Sequence, residues 1–356
     1  MSNRKVTLEQ TAGIISRAVM VTMSYFRRAG WARISSGWLG IFIAVVAICG
    51  FAQECQMAGD MDAGTHSALE RTAQQLFQLA GQGDAGKLRQ NSIPSVAGNF
   101  DSIAAAVLEN KPNLAGATAT TRGSYLLVAS GGATLPRAEF YCGVFNSPDR
   151  VSFVISNLPP GRYGVVILDA KGGKQAESVS FVLQEAAGAW KLGGLYFRFT
   201  ETGGHDGKWY LDQARQFKSK GQLHNAWFYY QEAINLQEPV PFMSTGLLDR
   251  IYEEAQAAKP ADLPGEHPLQ LSAAGKTFTV TKLGTAYFGT NLELEMTYSV
   301  ADVSNRSAVY NDNLAAIKAL VAKYPELREG FSEIVARAVT PSGQDYGTPM
   351  ATKDVK

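Results

Sequence analysis

The chain has little of what most chemistry is built from. Its 356 residues include three cysteines, Cys49, Cys55 and Cys142, and four histidines, His66, His205, His224 and His267. Three cysteines exclude a four-cysteine zinc site, and the scattered histidines show no ligand spacing for a mixed one. No metal or cofactor is therefore expected. The sequence has no Gly-x-Gly-x-x-Gly following a strand, no P-loop ending in Lys-Ser or Lys-Thr, no Gly-x-Ser-x-Gly elbow and no His-Glu-x-x-His. Charge is also sparse, at 18% of residues, and nearly balanced between 33 basic and 32 acidic side chains. A nucleic-acid binder would carry a clustered basic face instead, so no nucleic-acid partner is expected.

One long apolar run stands out. Ile34–Ala52 has no charged residue, and a helix of that length reaches about 28 Å, close to the hydrocarbon thickness of a bilayer. Ahead of it lie Arg4, Lys5, Arg17, Arg27, Arg28 and Arg33 against the single acid Glu9, the asymmetry that keeps an N-terminus in the cytoplasm. Small residues at Gly50 and Ala52 fit signal-peptide cleavage before Gln53. Residues 1–52 thus read as a signal peptide or, uncleaved, as a signal anchor that makes the membrane a partner through Ile34–Ala52. The protein is expected to be exported, to the periplasmic or extracellular face. Removing the leader's six basic residues and one acid leaves 27 basic and 31 acidic residues, a net charge near −4. Cys55 and Cys142 would then share an oxidising compartment, where they are able to pair. Residues 53–65 show no period and read as a tether, which puts Cys55 on a tail.

The rest predicts an α+β fold in three parts. In residues 66–200, Leu69, Ala73, Leu76, Phe77 and Ala80 recur at helical spacing, with Glu70, Arg71 and Gln74 on the other face. Gly81 and Gly83 stop that helix, Asp84 caps a short one through Arg89, and another runs from Asp101 to Leu108. Strands are expected at Ala117–Ser130, Arg137–Phe145, Val151–Ser156, Arg162–Ala170, Ala176–Gln184 and Ala189–Phe199. Turns at Gly131-Gly132, Pro159-Pro160-Gly161, Gly172-Gly173 and Gly188 punctuate them. Helices first, then an antiparallel meander closing in Trp190-Lys191-Leu192-Gly193-Gly194, resembles the nuclear transport factor 2-like fold, a cone in which helices close a curved sheet. The resemblance spans His66–Thr200. Leu158-Pro159-Pro160-Gly161-Arg162-Tyr163 is similar to loops of immunoglobulin-like carbohydrate-associated domains, which makes a β-sandwich the alternative. Some cone-fold relatives are isomerases or dehydratases with a buried acid or base. That resemblance makes Glu139 and Asp169 the catalytic candidates, and Tyr125, Glu139 and Tyr163 the lining of a ligand pocket.

Residues 201–260 read as a helical hairpin plus a third helix. Tyr210, Ala214, Phe217, Gly221, Ala226, Tyr230 and Ala233 resemble one tetratricopeptide repeat over Lys208–Pro239. A single repeat must pack on something else, and the cone is the expected support. The resemblance implies a protein or peptide partner held by Trp227, Tyr229 and Tyr230. Residues 261–356 read as a small α+β unit. Its strands are Leu269–Ser272, Thr277–Leu283, Leu292–Tyr298 and Ile334–Val339, with a helix from about Ser307 to Lys323. The whole arrangement is similar to uncharacterised exported bacterial proteins. The expectation is an exported, envelope-associated binding or scaffold protein. A small-molecule enzyme using the cone cavity and a peptide adaptor using the hairpin are the alternatives.

Overall fold

A computed structural model describes residues 53–144, 147, 149–288 and 291–355. The leader and its apolar run lie outside the described residues, as does the expected strand end at Phe145. The fold is α+β, as the sequence predicts. Among the described residues no helix is long and apolar enough to cross a membrane.

The segment expected as a tether starts with a strand, β1 (Gln53–Met57). Helix α1 (Ala63–Gln82) follows. The Asp62 side chain caps it by accepting from Thr65 N at 2.8 Å, and Gly83 ends it in the left-handed conformation at φ 72°. The buried stripe of α1 is Leu69, Ala73, Leu76, Phe77 and Ala80, the stripe read from the sequence. Asp84 caps α2 (Ala85–Gln90), and a single turn, α3 (Pro94–Ala97), leads to α4 (Asp101–Leu114). That helix outlasts its expected end at Leu108. Pro112 sits on the exposed side of its last turn.

Six long strands come next: β2 (Thr118–Ala129), β3 (Leu135–Cys142), β4 (Val151–Leu158), β5 (Gly161–Lys171), β6 (Glu177–Ala186) and β7 (Ala189–Phe199). They do not make one meander. An antiparallel sheet runs β1-β2-β5-β6-β7, and the β3–β4 hairpin folds away into a second sheet. The flexible Gly131-Gly132 turn lets the chain leave the first sheet. Pro159 and Pro160, which offer no N–H, stand where it returns. Side chains alternate across the large sheet. Leu126, Val166, Leu168, Val179, Phe181 and Leu183 pack under α1, α2 and α4. On the opposite face, Leu127, Tyr163, Val165 and Ile167 meet Ala138, Phe140, Cys142 and Phe153 of the small sheet. Cys55 on β1 and Cys142 on β3 form a disulfide, with Cα atoms 5.1 Å apart, that ties the two sheets together at their edges.

A two-strand ribbon, β8 (Glu201–Thr202) and β9 (His205–Asp206), leads to the hairpin α5 (Gly207–Ser219) and α6 (Leu223–Gln237). The chain then returns to the first sheets. Strand β10 (Met243–Thr245) adds to the edge of β4, with Met243 opposite Phe153, and α7 (Gly246–Gln256) follows. Ser180 Oγ donates to Pro239 O beneath this return, so the polar face of β6 is covered rather than open.

The C-terminal sheet is β11 (Leu269–Ala273), β12 (Lys276–Phe288), β13 (Asn291–Ser299), β14 (Glu333–Val339) and β15 (Asp345–Ala351), in that order. Helix α8 (Arg306–Lys323) and the turn α9 (Leu327–Gly330) connect β13 to β14. Such a crossover makes that pair parallel, where an all-antiparallel sheet was expected. Strand β15 was not anticipated. Leu294, Met296, Ile334 and Ala336 share one core with α8 and with Tyr210, Ala214, Tyr230 and Ala233 of the hairpin. The expected support of the hairpin was the first sheet; its core is instead continuous with the C-terminal one. Phe228 and Tyr229 of α6 both meet Phe331, which explains the preference: the large apolar side of α6 finds its aromatic partners there.

A groove beside helix α1 as candidate functional site

Alternation decides where the sequence-predicted residues land. Tyr125 and Tyr163 do share the inner face of the large sheet. Tyr125 lies edge-on to Phe153 at 5.1 Å, and Tyr163 Oη donates to Pro159 O at 2.8 Å. Burial pushes both phenols up. Glu139 is not beside them. On β3 it is Ala138, Phe140 and Cys142 that face inward, and Glu139 points outward between Arg137, at 2.5 Å, and Tyr141, whose hydroxyl donates at 2.8 Å. The Arg137 hydrogen bond, helped by Tyr141, holds its carboxyl below the usual carboxylate range. Asp169 is paired with Arg122, whose Nε donates to Oδ1 at 2.9 Å on the outer part of β2 and β5. Neither carboxylate is gathered with a second catalytic group.

The hairpin aromatics are also spoken for. Tyr229 Oη donates to Gly330 O at 2.6 Å. Tyr230 is fully buried and donates to Glu254, which Arg215 grips with two bonds of 2.7 and 2.8 Å. Trp227 is half-buried, with the Lys259 ammonium 5.5 Å from its ring centre. All three help to hold the hairpin to its neighbours.

Several buried polar groups join elements of the fold, His224, Glu177 and Glu232 among them. His224 lies between Glu326, at 2.7 Å from Nδ1, and Asp262, at 2.9 Å from Nε2, and its ring meets Tyr324 at 4.0 Å. The carboxylates engage opposite sides of the imidazole, so the three groups do not converge on one point. Among the described residues no such cluster is able to hold a metal ion. Glu177, at the start of β6, is 1% exposed and accepts from Asn113 of α4 at 2.6 Å. Glu232 of α6 is wholly buried where the first sheet, the hairpin and the C-terminal sheet meet. Tyr287 Oη donates to both of its carboxylate oxygens, at 3.0 and 2.9 Å, and Phe199 of β7 stands edge-on to Tyr287 at 6.0 Å. Burial pushes the Glu232 carboxyl up, and hydrogen bonding from Thr202, Tyr287 and Asn235 pulls it back. Tyr287→Phe removes that donor from a buried carboxylate and is expected to cost about 1–3 kcal/mol in urea unfolding at pH 7. An unchanged midpoint would mean that water or another group satisfies Glu232.

An open groove lies elsewhere among the described residues, and sequence reasoning missed it. A groove of about 540 Å³ runs between α1 and the β6–β7 hairpin. One wall is the exposed side of α1, where Arg71, Gln75, Gln78 and Gln82 follow at helical spacing opposite the apolar stripe. The other wall carries Trp190 and Lys191, just past a two-residue turn in which Ala187 and Gly188 adopt φ 51° and 76°. Arg162 lies beside Trp190. Its guanidinium lies 5.9 Å from the Trp190 ring centre and donates to Glu185 at 2.8 Å. Asn91 closes one end, with its Nδ2 committed to Lys87 O.

The lining holds two cations and no carboxylate. Arg71, Lys191, Gln75, Gln78 and Gln82 make no side-chain hydrogen bond or ion pair among the described residues. The one signal in the sequence was the polar face of α1; that it stands opposite Trp190 depends on tertiary packing. The chain matches no known protein-family model, no curated protein and no solved structure.

Proposed function

We propose that this chain is an exported, envelope-associated, non-catalytic binding or scaffold protein facing the periplasm or the cell exterior, with the α1 groove as its binding surface. The observation that carries the reading is the Cys55–Cys142 disulfide, formed just behind a basic leader and an apolar run. Disulfides persist in oxidising compartments and are rare in the cytosol, so the cross-link and the leader support the same destination. The unpartnered side chains of the groove support binding.

The finer fold belongs to the same proposal. Helices α1 to α4 precede the strands and cover one face of the β1-β2-β5-β6-β7 sheet, which supports the nuclear transport factor 2-like reading. The small sheet packed on the other face supports the sandwich alternative. The inward Tyr210, Ala214, Phe217 and Ala226 support the tetratricopeptide-like reading of the hairpin.

The test is to fractionate expressing cells, sequence the product's N-terminus and compare its mobility with and without reductant. An exported product with an intact disulfide is expected, either soluble from Gln53 or membrane-bound with its leader. A cytosolic product carrying free thiols would overturn the reading.

A further inference from the structure

We infer that the α1 groove binds a short saccharide bearing a carboxylate. The inference rests on the reading of the groove as a binding surface and adds the class of its ligand.

Four observations lead there. First, the charge is one-sided: Arg71 on α1 and Lys191 on β7 face the groove without an ion-pair partner among the described residues, and no carboxylate lines it. This contrasts with an exported chain that is net acidic, so the groove is a local exception suited to an anion. Second, the other polar side chains of the lining are mainly amides; the Thr72 hydroxyl is committed to Ala68 O at 2.8 Å. The three free glutamine side chains each both donate and accept, as sugar hydroxyls do, while a simple anion needs donors alone. Third, the α1 wall from Arg71 to Gln82 is about 16 Å long, at about 1.5 Å per residue. It is a ridge suited to a short oligomer rather than a single ion. Trp190 adds a planar apolar surface opposite it, with Arg162 beside the ring.

The fourth observation separates a saccharide from a peptide. Strand β7 is the free edge of its sheet, and an extended peptide would ordinarily pair there. At the groove that edge is occupied. Leu192 N donates to Asn91 O at 2.8 Å and Ile93 N donates to Leu192 O at 2.9 Å. A ligand in the groove therefore meets side chains, chiefly amides, two cations and an indole, with Thr72, Leu76 and Leu79 between them.

The test is calorimetric titration of the exported form with digalacturonate, with cellobiose as the neutral control and inorganic phosphate as the bare anion. Digalacturonate is expected to bind about tenfold or more tightly than cellobiose at low salt, a preference that shrinks as salt screens it. Arg71→Ala with Lys191→Ala should remove that preference, and Gln78→Ala should weaken both sugars. Both cations and Gln78 lie outside the packed cores, so these variants are expected to fold; their unfolding midpoints check this. Trp190→Phe, which keeps an apolar ring where Trp190 packs on the core, should weaken digalacturonate without unfolding the chain. Equal binding of cellobiose, phosphate binding that accounts for the whole signal, tighter binding of an oligoglutamate peptide, or no binding of digalacturonate would each overturn the inference. None of these outcomes bears on export, which fractionation decides separately.

Discussion

Cys55→Ser is expected to lower the stability of the protein by about 4 kcal/mol, and to make its urea midpoint insensitive to reductant. The disulfide joins residues 87 apart in sequence. Opening a loop of that size restores about 4–5 kcal/mol of conformational entropy to the unfolded chain, and native disulfides of small exported domains are typically worth about 2–5 kcal/mol. The placement adds a local effect. Strand β1 has five residues and pairs on one side only, with β2, and β3 is the outer strand of the small sheet. Each is an edge, and the cross-link turns two weak edges into one closed corner. The Gln53 side chain also accepts from the Glu139 backbone N–H across this corner. Without the bond, amides of β1 should exchange with solvent far faster than those of β5, while the helix-covered face keeps its protection. Cys142 is wholly buried, so a serine at position 55, where the side chain is half-buried, is the cleaner probe. Wild type with reductant should match the variant without it. A midpoint that moves in neither case would show that the two sheets hold together without their clamp.

The same corner shows what the sequence carries and what it does not. Helix α1 was legible because five apolar residues recur at helical spacing ahead of a Gly stop, both local signals; its Asp62 cap and first turn fell in the segment read as a tether. The strand bounds followed from alternation and turns. Alternation assigns a side chain to a face without naming the strand beside it. So β3 and β4 were read as part of one meander, when the chain leaves the first sheet at Gly131-Gly132 and comes back at Gly161. Gln53–Met57 has too few apolar residues to show a period, and only its pairing with β2 makes it a strand.

Parity in the sequence was sufficient to place Glu139. Ala138, Phe140 and Cys142 are apolar and alternate with Arg137, Glu139 and Tyr141, so a carboxylate at 139 points away from the tyrosines of the core. The hairpin was legible as a hairpin, but its support was not. Whether Tyr229 meets the first sheet or the C-terminal one depends on Phe331, about a hundred residues downstream. The groove was the least legible feature. Gln78 and Trp190 come from elements more than a hundred residues apart, and each alone reads as an ordinary surface side chain.

Glu177→Gln should stabilise the protein by about 2–3 kcal/mol at pH 8 and have little effect below pH 5. Glu177 stands at the first position of β6, 1% exposed, on the helix-covered face beneath the end of α4. Asn113 Nδ2 donates to Oε1 at 2.6 Å, and Oε2 has no partner among the described residues. The site is sealed by the preceding turn: a Cβ on Gly173 would come within 1.7 Å of the Asn113 carbonyl oxygen, so the turn lies directly against the helix end. Burial, with Glu109 nearby, pushes the Glu177 carboxyl up from 4.5 to about 7 against the opposing pull of Asn113.

A carboxyl whose pKa is raised by folding binds more protons in the folded state than in the unfolded one between those two values. Its contribution to stability is therefore fully present below pH 4.5 and is lost as pH rises through about 7. At 1.36 kcal/mol per unit the loss is about 3 kcal/mol. Glutamine keeps the acceptor for Asn113 and has no proton to lose, so the variant's stability should stay level where the wild type declines. Glu293, raised to about 7 by burial and by Glu333 beside it, declines over the same interval. Glu177→Gln should thus remove part of the slope, and the double variant with Glu293→Gln should remove more. Urea unfolding at pH 5, 6, 7 and 8 measures this directly. Parallel wild-type and Glu177→Gln curves across that range would mean that Glu177 is ionised in the folded protein and that its second oxygen has found a donor.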